Sequence, residues 1–127
     1  MCKASLPEDQ CEYDLAKAKE YGISPDRIHI DPLVEMLCTS EDGIAMNVEV
    51  ISTVRKLYPS IHITAAVSNI SFNLPVRKLI NYGFVVLAMN AGLESAIMDP
   101  TNRDMLGLVY ATEALSSPAI IANTTNP

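Results

Sequence analysis

At 127 residues the chain has the length of one ordinary domain. Hydrophobic residues make up 49% and charged residues 19%, enough for a sizeable core, and no stretch reaches the ~18 unbroken apolar residues of a membrane span. A net charge of −6 without a basic cluster argues against a nucleic-acid groove, which needs a positive footprint to meet phosphates. The first residues, Met1 to Glu8, lack the apolar run of a secretory signal, so a cytoplasmic location is expected.

Residues 1–10 have no apolar periodicity and read as a leader. From Asp9 to Tyr21 the pattern Tyr13, Leu15, Ala16, Ala18 and Tyr21 among charged residues predicts an amphipathic helix that Gly22 ends. Cys2, Cys11 and Cys38 have no Cys-x-x-Cys spacing; an odd count without secretory context favours free thiols. Even with His29 and His62 added they form no recognisable metal-ligand set.

After the connector Ser24-Pro25-Asp26, Arg27 to Ile30 predicts a short strand that stops at Asp31-Pro32, since proline cannot donate to a ladder. His29 alternates onto the same face as Asp31 and reads as a satisfied core residue rather than an acid or base. Cys38 to Gly43 is a loop whose Thr39-Ser40-Glu41-Asp42 supplies helix caps. Met46, Val50, Ile51, Val54, Leu57 and Tyr58 then recur at helical spacing until Pro59, with Met46 as core filler.

His62 to Val67 suits a buried strand with His62 exposed at its start; Ser68-Asn69 stops it, and Pro75 opens a helix that runs to Ala91 and closes at Gly92. Gly83 inside that helix costs ~1 kcal/mol relative to alanine and marks close packing. Ser95 to Met98 is a third strand, ending again in Asp-Pro at Asp99-Pro100. Asn102 to Leu115 is a last helix with Met105, Leu106, Leu108, Val109, Ala111 and Thr112 as its stripe, and 116–127 is an irregular tail.

Strands recur about every 34 residues, the size of one strand-plus-helix unit. This predicts an α/β fold with three parallel strands in chain order, four helices, and right-handed crossovers that place the helices on one side. The other face, with Ile63, Ala65 and Val67 or their alternates on it, is left bare, and both sheet edges are unpaired. A homo-oligomer packed sheet to sheet, or a separate chain carrying further strands, would cover that face.

Asp31, Asn69 and Asp99 each follow a strand, the edge at which α/β folds bind ligands. Asp-Pro is also a common turn and helix-start device, because Asp caps amides and Pro presets φ. The strings Ile30-Asp31-Pro32-Leu33, Ser68 to Asn81, Ala91-Gly92-Leu93 and Ala96-Ile97-Met98-Asp99-Pro100 are more specific. On them, the chain from about Asp14 to about Leu115 resembles the methyltetrahydrofolate:corrinoid protein methyltransferases. Those are pterin-binding enzymes related to the folate module of cobalamin-dependent methionine synthase and to dihydropteroate synthase.

The resemblance implies the C-terminal part of a (β/α)8 barrel. It implies methyl transfer from N5 of methyltetrahydrofolate, or a related methyl-pterin, to the cobalt of a corrinoid held by a partner protein. It assigns Asp31 to pterin recognition and Asn69 to N5, with Ser68, Arg77 and Asp99 as further substrate contacts; Arg77 could equally pair with a local carboxylate. An amine anion is a poor leaving group, so N5 needs a proton or a strengthening hydrogen bond as the N–C bond breaks, which suits an amide donor. Asn73 stands where the family usually has glycine, and Glu94 where it usually has aspartate. The alternative is a noncatalytic half-barrel that assembles with a chain supplying the missing strands. No Gly-rich phosphate loop, zinc motif or Gly-x-Ser-x-Gly supports another enzyme class.

Overall fold

The computed structural model describes residues 7–117. Helix α1 spans Pro7–Glu20, β1 His29–Ile30, α2 Gly43–Leu57, β2 His62–Ala66, α3 Arg77–Ala91, β3 Ser95–Ile97 and α4 Arg103–Ser116, with short 3-10 turns at Pro25–Arg27 and Val67–Ser71. The strands form one parallel sheet in the order β1-β2-β3. His29 pairs with His62 and Ile30 with Ile63; Thr64, Ala65 and Ala66 pair with Ser95, Ala96 and Ile97. This is the expected α/β order, with four α-helices.

Several boundaries differ from expectation for local reasons. Arg27 belongs to a 3-10 turn that Pro25 starts, so β1 is shorter than Arg27 to Ile30. Val67 and Met98 fall outside β2 and β3, and α1 starts at Pro7, within the expected leader. Thr39, Ser40, Glu41 and Asp42 do not cap α2: Asp42 stands at the N-cap without a side-chain hydrogen bond. Asn102 does cap α4, its Oδ1 accepting from the Met105 amide at 3.1 Å. Cys2 and nearly all of the expected tail lie outside the described residues; Ser116 itself closes α4.

The core lies between one face of the sheet and the helices. Ile63 and Ala65 of β2, with Val67 just beyond, are buried together with Ile51 and Val54 of α2, Phe84, Val85 and Ala88 of α3, and Met105 of α4. Met46 is 51% exposed and not core, because the buried stripe of α2 runs through Asn47, Ile51 and Val54, one position away around the helix. On α1, Cys11 is buried, while Tyr13, and Tyr21 just past the helix end, face solvent. Burial raises the Cys11 thiol pKa, with the Asp14 charge adding to the effect. A methyl at Gly83 would meet nothing within 4 Å, so this glycine marks no close packing. Gly92 does: at φ 121 it closes α3, and its added Cβ would lie 2.9 Å from Arg55 Cγ.

The alternates of Ile63, Ala65 and Val67 occupy the open face, and they make it largely polar. His29 Nδ1 lies 3.0 Å from Thr64 Oγ1, which lies 2.6 Å from Ser95 Oγ. The rings of His29 and His62 stack at 4.9 Å. His29 is therefore an exposed member of a polar row and not a core residue. Glu94 joins His62 Nδ1 at 2.6 Å and Arg55 at 2.8 Å, and Arg55 also donates to the Gly92 and Ile61 carbonyls. Ile97, 64% exposed, is the large apolar side chain on this face.

Candidate functional site

The loops that leave the C-terminal ends of the strands bring three of the expected site residues, Asp31, Ser68 and Asn69, onto neighbouring segments. Asp31 follows β1 and is exposed; its Oδ1 accepts from the Leu33 amide at 2.9 Å, the local turn that Asp-Pro sequences favour. Leu33 adopts φ 52. The buried Asn47 side chain donates to the carbonyls of Leu33 at 3.5 Å and Gly43 at 3.4 Å, joining this loop to α2. One carboxylate oxygen of Asp31 is thus occupied by a single N–H, and capacity remains for a ligand donor.

Asn69 lies in the tight turn Val67–Ser71, whose Val67, Ile70 and Ser71 are buried while Ser68 and Asn69 are exposed. Its side-chain amide makes no hydrogen bond to the described residues. The turn itself is held from three directions. Leu37 donates from the first loop to the Ile70 carbonyl at 3.1 Å, and Cys38 Sγ donates to the Phe72 carbonyl at 3.4 Å. Within the turn, Phe72 N–H bonds the Asn69 carbonyl and Ser71 Oγ donates to the Ser68 carbonyl. From α3, Arg77 Nε donates to Ser71 Oγ and Nη2 to the Ser68 carbonyl, both at 3.1 Å, with the guanidinium 5.8 Å from the Phe72 ring centre. No ion pair to Arg77 is found among the described residues.

Asn73 has φ 62. Asparagine is among the few residues that tolerate this left-handed region. Val76 also has φ 51, which a β-branched residue rarely adopts, in the residue that hands the chain to α3.

Asp99 is differently placed. Its Oδ1 accepts from both the Thr101 amide at 2.9 Å and the Thr101 hydroxyl at 2.7 Å, and these bonds, the hydroxyl's foremost, hold its pKa below the ordinary value. The carboxylate is committed to its own loop. A Tyr82 to Asn102 hydrogen bond at 3.5 Å ties that loop to α3, and no bond joins it to the Asn69 turn among the described residues.

Leu37, Cys38, Asn47 and Ser71 hold these loops together, and the sequence assigned none of them a part in the pterin site. Asn47 alone left a signal, as the polar position in the apolar stripe of α2. Two cavities lie elsewhere: one of about 560 Å³, lined by Leu15, Ile28, Leu57, Tyr58 and Ile61 at the opposite ends of the strands, and one of about 160 Å³ beside β3. Among the described residues no group of three or more His, Cys, Asp or Glu could hold a metal ion, and no helix is long and apolar enough to cross a membrane.

The chain is 50% identical over 99 residues to the methylcorrinoid:tetrahydrofolate methyltransferase of Eubacterium limosum. It is homologous to that methyltransferase. The match covers 78% of this chain and 36% of the relative. A second relative, the methionine synthase of Mycobacterium tuberculosis, is 34% identical over 85 residues, covering 61% of this chain and 7% of that protein. The chain thus spans little more than a third of the first relative's length. No family model matches it. The resemblance drawn from Asp31-Pro32-Leu33 and the Ser68 to Asn81 string is supported by these relatives, both of which the resemblance had named by type.

Proposed function

We propose that this chain carries part of a pterin site for methyl transfer between tetrahydrofolate and a corrinoid held by a partner protein. The observation that carries this reading is Asn69: an exposed side-chain amide without a protein partner among the described residues, on a turn fastened to both neighbouring segments. Asp31, on the adjoining loop, accepts from pterin N–H donors with the carboxylate capacity that Leu33 leaves. Asn69 hydrogen-bonds N5 and stabilises the charge that develops there as the N–C bond forms or breaks. The corrinoid supplies the cobalt that exchanges the methyl group.

The first relative's name puts the methyl group on the corrinoid and makes tetrahydrofolate the acceptor. The sequence alone suggested the opposite direction. Both directions cross one transition state, so the same contacts to N5 serve either, and the direction is set by the methyl donor supplied.

A second reading rests on the two sheet edges. Among the described residues β1 and β3 each pair on one side only, and the chain covers 36% of its relative. In this reading the chain assembles with a copy of itself or with a chain supplying further strands of a (β/α)8 barrel, and the pterin site is completed there.

Equilibrium binding of tetrahydrofolate to the wild type and to Asp31→Ala tests the proposal. A hydrogen bond to a charged group is worth about 1.5–3 kcal/mol, so the variant is expected to bind tenfold or more weakly. Equal affinities would remove Asp31 from the site.

A further inference from the structure

We propose that Arg77 is a positioning residue that holds the Asn69 turn in place by a two-point guanidinium clamp and does not itself touch the pterin. The inference rests on the reading of Asn69 given above. Arg77 is the first residue of α3, and Lys78 follows it, with no acidic residue in that first turn. A cation there meets the positive end of the helix dipole, an unfavourable place for it. The guanidinium is turned back over the turn, donating through Nε to Ser71 Oγ and through Nη2 to the Ser68 carbonyl.

These two acceptors bracket Asn69 in sequence. Ser71 is fully buried and forms the fixed end of the clamp; Ser68, next to Asn69, is the exposed end that needs restraint. Ser71 Oγ relays the contact, accepting from Arg77 while donating to the same Ser68 carbonyl at 3.2 Å. The Phe72 ring lies beside the guanidinium and adds a cation–π contact. The chain enters α3 through Val76 at φ 51, so the helix end and the turn are joined by a strained linker as well as by this fork. Lysine offers one point charge and cannot span both acceptors in the same way.

Two measurements on the whole chain test this. The first needs no ligand: amide hydrogen exchange of Phe72 and Leu74, which bond the Asn69 and Ser71 carbonyls, in wild type, Arg77→Ala and Arg77→Lys. Exchange at both amides is expected to rise tenfold or more in both variants while β2 amides are unchanged. Unchanged exchange in the alanine variant, or wild-type exchange in the lysine variant, would overturn the clamp.

The second is tetrahydrofolate binding by wild type, Arg77→Ala, Asn69→Ala and the double variant. A positioning role predicts that Arg77→Ala weakens binding fivefold or more in the wild type and not at all once Asn69 is gone. The same loss in both backgrounds would show that Arg77 contacts the ligand directly and would overturn the inference. A wild type that does not bind tetrahydrofolate would remove the proposed function, and exchange alone would then decide the role of Arg77.

Discussion

Ile63 and Thr64 are neighbours on β2 that face opposite sides of the sheet, and exchanging each for alanine measures which side the helices cover. Ile63 is 1% exposed and packs in the cluster formed with Ile51, Val54 and Phe84. Truncating a buried isoleucine to alanine removes its transfer free energy and leaves a cavity, together about 2–5 kcal/mol. Thr64 is half-buried on the open face, and its hydroxyl bridges His29 and Ser95. A net hydrogen bond contributes about 0.5–1.5 kcal/mol, and water can replace it at an open face. Ile63→Ala should therefore cost more than Thr64→Ala by about 2.5 kcal/mol, the difference between the midpoints of those two ranges. Urea unfolding monitored by circular dichroism, with equal m-values for the three proteins, gives the comparison. If Thr64→Ala proved as damaging as Ile63→Ala, the open face would be covered in solution, either by the helices, against the layer order described here, or by the partner of the second reading, and a concentration-dependent midpoint would distinguish the two.

Gly83→Ala should raise stability by about 0.5–1 kcal/mol, because Gly83 is an exposed helix-interior glycine with nothing within 4 Å of an added Cβ. Gly92→Ala should lower it, since φ 121 and the Arg55 side chain 2.9 Å away both oppose a methyl there; thermal melts of the pair check the opposite signs. The Asp99 carboxyl has a folded pKa below its ordinary 3.8, so its contribution is complete above 3.8 and is lost as pH falls through the folded value. The stability gap between wild type and Asp99→Ala should therefore narrow in that acid range, and a gap that stays constant across it would refute the Thr101 bonds as its source.

The strand order was legible because βα units repeat at a regular interval and each strand ends on a polar residue, Asp31, Ser68-Asn69 or Asp99. Which face of β2 the helices cover was not: period-two alternation divides Ile63 and Ala65 from His62 and Thr64, but packing by distant residues such as Phe84 and Met105 selects between them. Asn69 is a candidate drawn from the Ser68 to Asn81 string, whereas the hydrogen bonds of Arg77 could not be read there. Its acceptors, Ser71 Oγ and the Ser68 carbonyl, come within reach only once Val67–Ser71 closes as a tight turn. Met46 and Gly83 misled because helical spacing fixes a period without fixing the buried phase by a single residue.

Amide chemical-shift mapping during a tetrahydrofolate titration tests the central claim most directly, because the cavity of about 560 Å³ lies at the opposite ends of the strands from Asn69. The account predicts saturable shifts at Asp31, Leu33, Ser68 and Asn69, with the residues of that cavity, Leu15, Leu57 and Ile61, unmoved. Shifts confined to Leu15, Leu57 and Ile61, or no saturable shifts at all, would contradict it.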